Sequence, residues 1–372
     1  MGFLQLAAAA AATTFVLFGV PATSADEGTV ISVGGPPVGV AAGPDGTVYV
    51  TRCEWGGGIF VLPPGATAPA RTIRTSDFPS SVASAPDGTL YVVQRNGSGE
   101  SEIGVLPGAG NEVARTIPVS RGEHRLAAGA DGSVFVTNPN EGTVSVILPN
   151  AVSIGRTVQA GSGPLGVAVT KDGTAYVTNE YGGTVSVIPA GSGSASRTID
   201  VGRSSNPHGI ASGPDGTVYV SNVLTNEVVV IEPGTAAVAR RIPVGRSPQE
   251  VSAGPDGSVY VTNSVDRTVS VIGPGDTAVA RTIPVGKEPG RLAVTGDGAV
   301  YVANRAGNSV SVLFAAAAPV GVVSAEPGAG SAAAQANSDG TGSSFLIVGG
   351  AAVVLAVLVG IGFLRRRSRL FG

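Results

Sequence analysis

The string VAAGPDGTVYVTR (40–52) decides the fold, because it returns six more times without a gap. Its copies are VASAPDGTLYVVQ (82–94), LAAGADGSVFVTN (126–138), VAVTKDGTAYVTN (167–179), IASGPDGTVYVSN (210–222), VSAGPDGSVYVTN (251–263) and LAVTGDGAVYVAN (292–304). The shared aspartates are Asp45, Asp87, Asp131, Asp172, Asp215, Asp256 and Asp297, spaced 42, 44, 41, 43, 41 and 41 residues apart. A steady period of this size is the signature of a repeat architecture, one supersecondary unit per repeat.

Each unit has room for four short strands. The first is small and apolar, as in VAAG. Asp-Gly then turns the chain tightly, since glycine accepts a positive φ without steric cost. The second strand, VYVTN, alternates with period two. The third is TVSVI (143–147, 184–188, 268–272) or a variant such as IFVL (59–62), and the fourth is RTIPV (115–119, 281–285) or a variant. Four strands in 40–45 residues predict an all-β, seven-bladed β-propeller with the small first strand innermost. The last repeat stops after its third strand, SVSVL (309–313), while TVISV (29–33) aligns with RTIPV. The amino-terminal strand is therefore expected to complete the last blade and remove the open edge. Tyrosines 49, 91, 176, 219, 260 and 301 of the second strand are expected between blades, and arginines 71, 115, 156, 197, 240 and 281 on outer edges.

Composition agrees and excludes other classes. Gly 56 and Pro 26 together far exceed the usual share of turn residues, which rules out a long-helix protein. One cysteine, Cys53, excludes an intramolecular disulfide framework, and two histidines make a His-rich metal centre improbable.

The two ends read as membrane-directed segments. Residues 1–25 form a signal peptide, with an apolar run over 3–20 and cleavage after Ala25, although no Lys or Arg precedes the run. Residues 345–364 are uncharged and long enough, at about 1.5 Å per residue, to span a bilayer as a transmembrane helix. Arg365, Arg366, Arg367 and Arg369 then place a basic tail (365–372) in the cytoplasm and the propeller (26–314) outside. Residues 315–344, rich in Ala, Gly and Ser, read as a flexible stalk. Removing the four tail arginines leaves 19 bases against 26 acids, the wrong sign for a nucleic-acid partner.

The departures from the repeat are the candidate site. Seven residues before each turn aspartate stand Val38, Ser80, His124, Leu165, His208, Gln249 and Gly290. The next positions hold Gly39, Ser81, Arg125, Gly166, Gly209, Glu250 and Arg291. Both histidines thus fall at one equivalent place, on the loop entering the innermost strand. A ring of His124, Arg125, His208, Gln249, Glu250 and Arg291 near the channel mouth would carry groups able to bind anions or move protons. A second departure is Arg52-Cys53-Glu54-Trp55. Trp55, the only tryptophan, beside Arg52 and Glu54 suits recognition of a sugar or protein, or else caps the first blade. Cys53 reads as an inert thiol.

YVTN (176–179, 260–263) and its variants YVTR, YVSN, YVAN and FVTN resemble the YVTN-type β-propeller repeat family of surface-layer and related proteins, over residues 28–314. The resemblance implies a propeller whose sites lie around the channel mouth, on the face of the loops that enter the innermost strands. The string PHGIASGPDG (207–216) is similar to repeats of the seven-bladed streptogramin lyases. That similarity implies an elimination across an ester by metal-assisted acid–base groups, with histidines on successive blades and a glutamate nearby. His208 matches; the following blade has Gln249 and Glu250, and the preceding one Leu165, so the carry-over ends there.

The expected function is a membrane-anchored extracellular binding or scaffold module for a protein, glycan or cell-wall component. No cofactor, metal ligand or catalytic residue is assigned on this reading. The alternative is a lyase or a lactonase-like hydrolase with a divalent metal on the loop face.

Overall fold

The computed structural model describes residues 28–108 and 110–313. They form seven four-stranded antiparallel sheets. The first sheet is β2 (Pro37–Ala42), β3 (Val48–Arg52), β4 (Gly58–Leu62) and β5 (Arg71–Arg74), in that order. The seventh is β26 (Pro289–Val294), β27 (Val300–Asn304), β28 (Ser309–Leu313) and then β1 (Thr29–Ser32). Ile31 faces Val310 and Thr29 faces Val312 across that last pair. The closure expected from TVISV is therefore present, and the all-β seven-bladed propeller is the observed fold.

The innermost strands touch in sequence around the axis, ending with β26 against β2. The core lies between blades rather than at the centre. Ala168, Tyr176, Val185 and Ile199 of blade four pack with Ile210, Val218, Val220 and Ile231 of blade five in one buried layer. Equivalent layers hold Tyr49, Tyr91, Tyr219, Tyr260 and Tyr301 against the blade that follows each. A buried aromatic ring of this kind contributes on the order of 2 kcal/mol.

The second-strand motif has a polar logic that its apolar alternation hides. Thr178 Oγ1 accepts from Gly166 N (2.8 Å) in its own blade and donates to the His208 carbonyl (3.0 Å) of the next. Thr51, Thr137, Ser221 and Thr262 repeat the inter-blade bond. The asparagine that follows ties the second strand to the third: Asn179 Nδ2 donates to Thr184 and Ser186 hydroxyls at 3.0 and 2.9 Å. Buried polar side chains on a packed strand need such partners, and here both ends of each bond are inside the ring. Outer-strand arginines also bridge blades: Arg71 reaches the Gly110 carbonyl (3.0 Å) and Arg115 the Ala151 carbonyl (3.1 Å). They therefore do more than guard an outer edge.

The expected signal peptide (1–25), stalk (315–344), transmembrane helix (345–364) and basic tail (365–372) lie outside the described residues. Among the described residues no helix is long and apolar enough to cross a membrane.

Candidate functional site

The innermost strands carry the site because their entry is irregular. In five blades the first-strand register shifts between the entering proline and the third residue after it, as at Pro207/Ile210, Pro248/Val251 and Pro289/Leu292. A bulge of this kind re-aims side chains. His208, Gln249, Glu250 and Arg291, which break the repeat, lie inside it, while His124 and Arg125 hold the equivalent places just before the regularly paired strand Leu126–Ala128 of blade three.

Glycine at the second of these places has a steric reason. A Cβ on Gly39 would meet the Ser80 carbonyl oxygen at 2.3 Å, and one on Gly166 the His208 carbonyl oxygen at 2.4 Å. Where blades three, six and seven replace it by Arg125, Glu250 and Arg291, the side chains run into the channel.

There they meet across the axis. Arg125 Nη1 donates to Glu250 Oε2 at 2.6 Å, joining blade three to blade six. Arg125 Nη2 lies 3.0 and 3.1 Å from the two ring nitrogens of His208 on blade five. His208 Nδ1 is also 2.8 Å from the Gln249 carbonyl. With Nδ1 donating to that carbonyl, Nε2 is the ring acceptor that faces the guanidinium. Arg291 Nη1 donates to Ser81 Oγ at 2.6 Å, joining blade seven to blade two. Above these groups opens a cavity of about 210 Å³. Below them the channel continues between apolar residues such as Val40, Leu126 and Val167. Arg125, Glu250 and Arg291 line both spaces and form a charged partition between them.

Burial sets the protonation of this partition. Burial first, and then the neighbouring Arg125, push His208 down to about 3, so it is neutral at physiological pH. Burial and Arg125 likewise push Arg291 down to about 9, leaving it charged but poorly solvated.

Every residue singled out from the sequence has a definite position. His208, Gln249, Glu250, Arg125 and Arg291 line the cavity together. His124 also borders it, yet its ring is buried and both nitrogens face carbonyls, of Thr137 (2.6 Å) and Ser120 (2.5 Å). It therefore holds a loop and offers the cavity no free polar atom. The Gln249 amide turns to Ser247 Oγ at 3.0 Å. Arg52 and Glu54 pair with each other at 3.0 Å, Arg52 stacking over Phe60. Trp55 is 75% exposed, so it does not cap the first blade. It meets Phe78 edge to face at 5.9 Å, and Arg95 lies over the same Phe78 ring. Tyr181, Leu224 and Val265 stand exposed in the corresponding turns of blades four to six. Burial raises the Cys53 thiol, which agrees with an inert role.

The residues at hand do not suit a divalent metal. His208 and Glu250, the His and Glu side chains that meet in the channel, are already bridged by the Arg125 guanidinium. An internal cation thus already neutralises Glu250 and occupies the acceptor of His208. Among the described residues no group of three or more His, Cys, Asp and Glu is clustered for metal binding. A histidine held near 3 is also a poor general base at neutral pH.

Comparison with known proteins places the chain. The virginiamycin B lyase family matches residues 23–313, and the chain belongs to that family. No protein of curated function matches it. Three solved structures share the fold. One is a Kuenenia stuttgartiensis hydrazine synthase, with a TM-score of 0.68 and 19% identity, covering 77% of this chain and 97% of the other. A streptogramin B lyase has a TM-score of 0.65 and 17% identity, covering 76% and 96%. A virginiamycin B lyase from Staphylococcus aureus has a TM-score of 0.65 and 14% identity, covering 77% and 98%. At such identities the likeness speaks for the propeller alone.

Proposed function

We propose that this family member is a surface-displayed binding module, anchored by residues 345–364 and raised on residues 315–344, whose ligand enters the loop-face mouth of the propeller. The observation that carries the reading is the Arg125 guanidinium between Glu250 and His208. It occupies the place a metal-assisted eliminating centre needs and leaves His208 without a free lone pair. The exposed Trp55, with Phe78 and Arg95 beneath it, supplies a second contact surface suited to a glycan, a protein or a wall component. The YVTN-type strings favour the same extracellular role, by resemblance.

The second reading is a lyase, favoured by the family match over residues 23–313. Calorimetric titration of the purified full chain with Mg²⁺ and Mn²⁺ separates the two. The binding reading expects no saturable uptake, and no change with His208→Ala. Saturable uptake that His208→Ala removes, together with opening of a streptogramin B ester, would establish the lyase. Capture of a component from intact envelopes, weakened by Trp55→Ala, is the positive result expected of the binding module.

A further inference from the structure

The charges around the mouth do not balance one by one. Arg125 is matched by Glu250 at 2.6 Å, and the exposed Arg305 by Glu288 at 4.0 Å. Arg291 feels the Glu250 and Glu123 carboxylates at a distance, but the one hydrogen bond of its guanidinium among the described residues goes to the Ser81 hydroxyl, a neutral acceptor. Ser81 is itself buried and fixed, accepting also from the Leu126 amide at 3.2 Å. The guanidinium is thus oriented by one edge, and the rest of its donor fork has no partner among the described residues. It lines the cavity of about 210 Å³, whose walls include Val38, Leu165 and Pro289.

From this we infer that Arg291 takes the carboxylate of a small organic acid or acidic chain end, seated in the loop-face mouth with its apolar body against Val38 and Leu165. The inference rests on the reading of the mouth as a ligand site and names the ligand's chemistry. Three features select a carboxylate. A guanidinium presents parallel N–H groups that match two carboxylate oxygens. Arg125 already holds a carboxylate directly, through Glu250, whereas Arg291 holds none, so a single added carboxylate completes the second pair. The exposed carboxylates of Glu123 and Glu288 at the same mouth disfavour a dianion such as phosphate. Burial and the neighbouring Arg125 hold Arg291 below the usual arginine range, against the pull of Glu250 and Glu123.

The test uses the full chain in mild detergent and benzoate as probe, with benzamide as its neutral isostere and inorganic phosphate as the competing oxyanion. Saturable benzoate binding is expected, with benzamide at least tenfold weaker. Arg291→Met should weaken benzoate at least tenfold, Arg291→Lys less, and the outer-strand control Arg156→Met by under twofold. Arg291→Met should change Tm little, since it relieves a poorly solvated charge while giving up the Ser81 bond. If it fails to fold, the benzoate–benzamide ratio and Arg291→Lys still decide. Equal binding of benzoate and benzamide, full retention in Arg291→Met, or binding of phosphate in place of benzoate would each overturn the assignment. Absent benzoate binding beside a persistent capture of an envelope component would remove the carboxylate and leave the binding module standing.

Discussion

On the turn rim of the ring, each aspartate bonds within two residues of itself along the chain. Oδ1 accepts from the amide of Thr47, Thr89, Ser133, Thr174, Thr217, Ser258 or Ala299, and all seven blades agree. At the channel mouth, the same repeat sends Arg125 to His208 and Glu250, 83 and 125 positions away, and Arg291 to Ser81, 210 positions away. One rim is satisfied locally and is therefore repeated. At the other, the charged side chains of Arg125, Glu250 and Arg291 are satisfied by unlike partners from other blades, so that set cannot repeat. Repetition in this chain marks backbone geometry; its failure marks the place where the blades cooperate.

The largest effect expected from this contrast is at Arg125. Arg125→Ala strands the Glu250 carboxylate beside a neutral His208 in the channel, and should cost about 3 kcal/mol in urea unfolding. A turn aspartate of the same blade, Asp131→Ala, should cost about 1 kcal/mol or less. Equal costs would erase the distinction between the rims.

His208 sharpens the contrast through pH. Its folded value near 3 lies below the ordinary 6.5, so between the two the unfolded chain binds the extra proton. Its neutral burial therefore costs nothing above pH 6.5 and progressively more as pH falls toward 3. Stability should drop by up to about 1.4 kcal/mol per pH unit in that window. Thermal unfolding at pH 7, 6 and 5 should show a shallower slope in His208→Asn than in the native chain. On the turn rim the sign involves carboxylates. The Thr217 amide and hydroxyl hold Asp215 below its usual range, so its contribution is present above pH 3.8 and lost as pH falls further. An unchanged slope between pH 7 and 5 in His208→Asn would place the titrating group elsewhere.

Thr178→Val tests the staple between blades four and five. It leaves Gly166 N and the His208 carbonyl without their hydroxyl, a loss of about 1–2 kcal/mol. Trp55→Ala is the smallest change in stability, within about 0.5 kcal/mol, because the ring is exposed. Its effect should be seen only in envelope capture.

Much of this architecture was legible because it is periodic. The Asp-Gly turns fix seven hairpins, and the alignment of TVISV with RTIPV foretells the β1–β28 pairing. The equivalent place of His124 and His208 was also legible, yet their roles diverge. His124 turns toward the Ser120 and Thr137 carbonyls, and His208 toward Arg125. Position in a repeat sets where a loop stands; it does not set the rotamer or the partner, which come from other blades. The hydroxyl staple of Thr51, Thr137, Thr178, Ser221 and Thr262 left a signal that periodicity alone does not interpret. A hydroxyl recurs on a strand whose neighbours are all buried. Exposure of Trp55 had no such signal, since a glycine-rich turn can fold its aromatic either way.

The most direct measurement is a crystal structure of the chain grown with Mg²⁺ and benzoate together. The account predicts the Arg125 guanidinium between Glu250 and His208, no ion on either, and the benzoate carboxylate on Arg291. A divalent ion coordinated by His208 and Glu250, with Arg125 swung out of the channel, would contradict it.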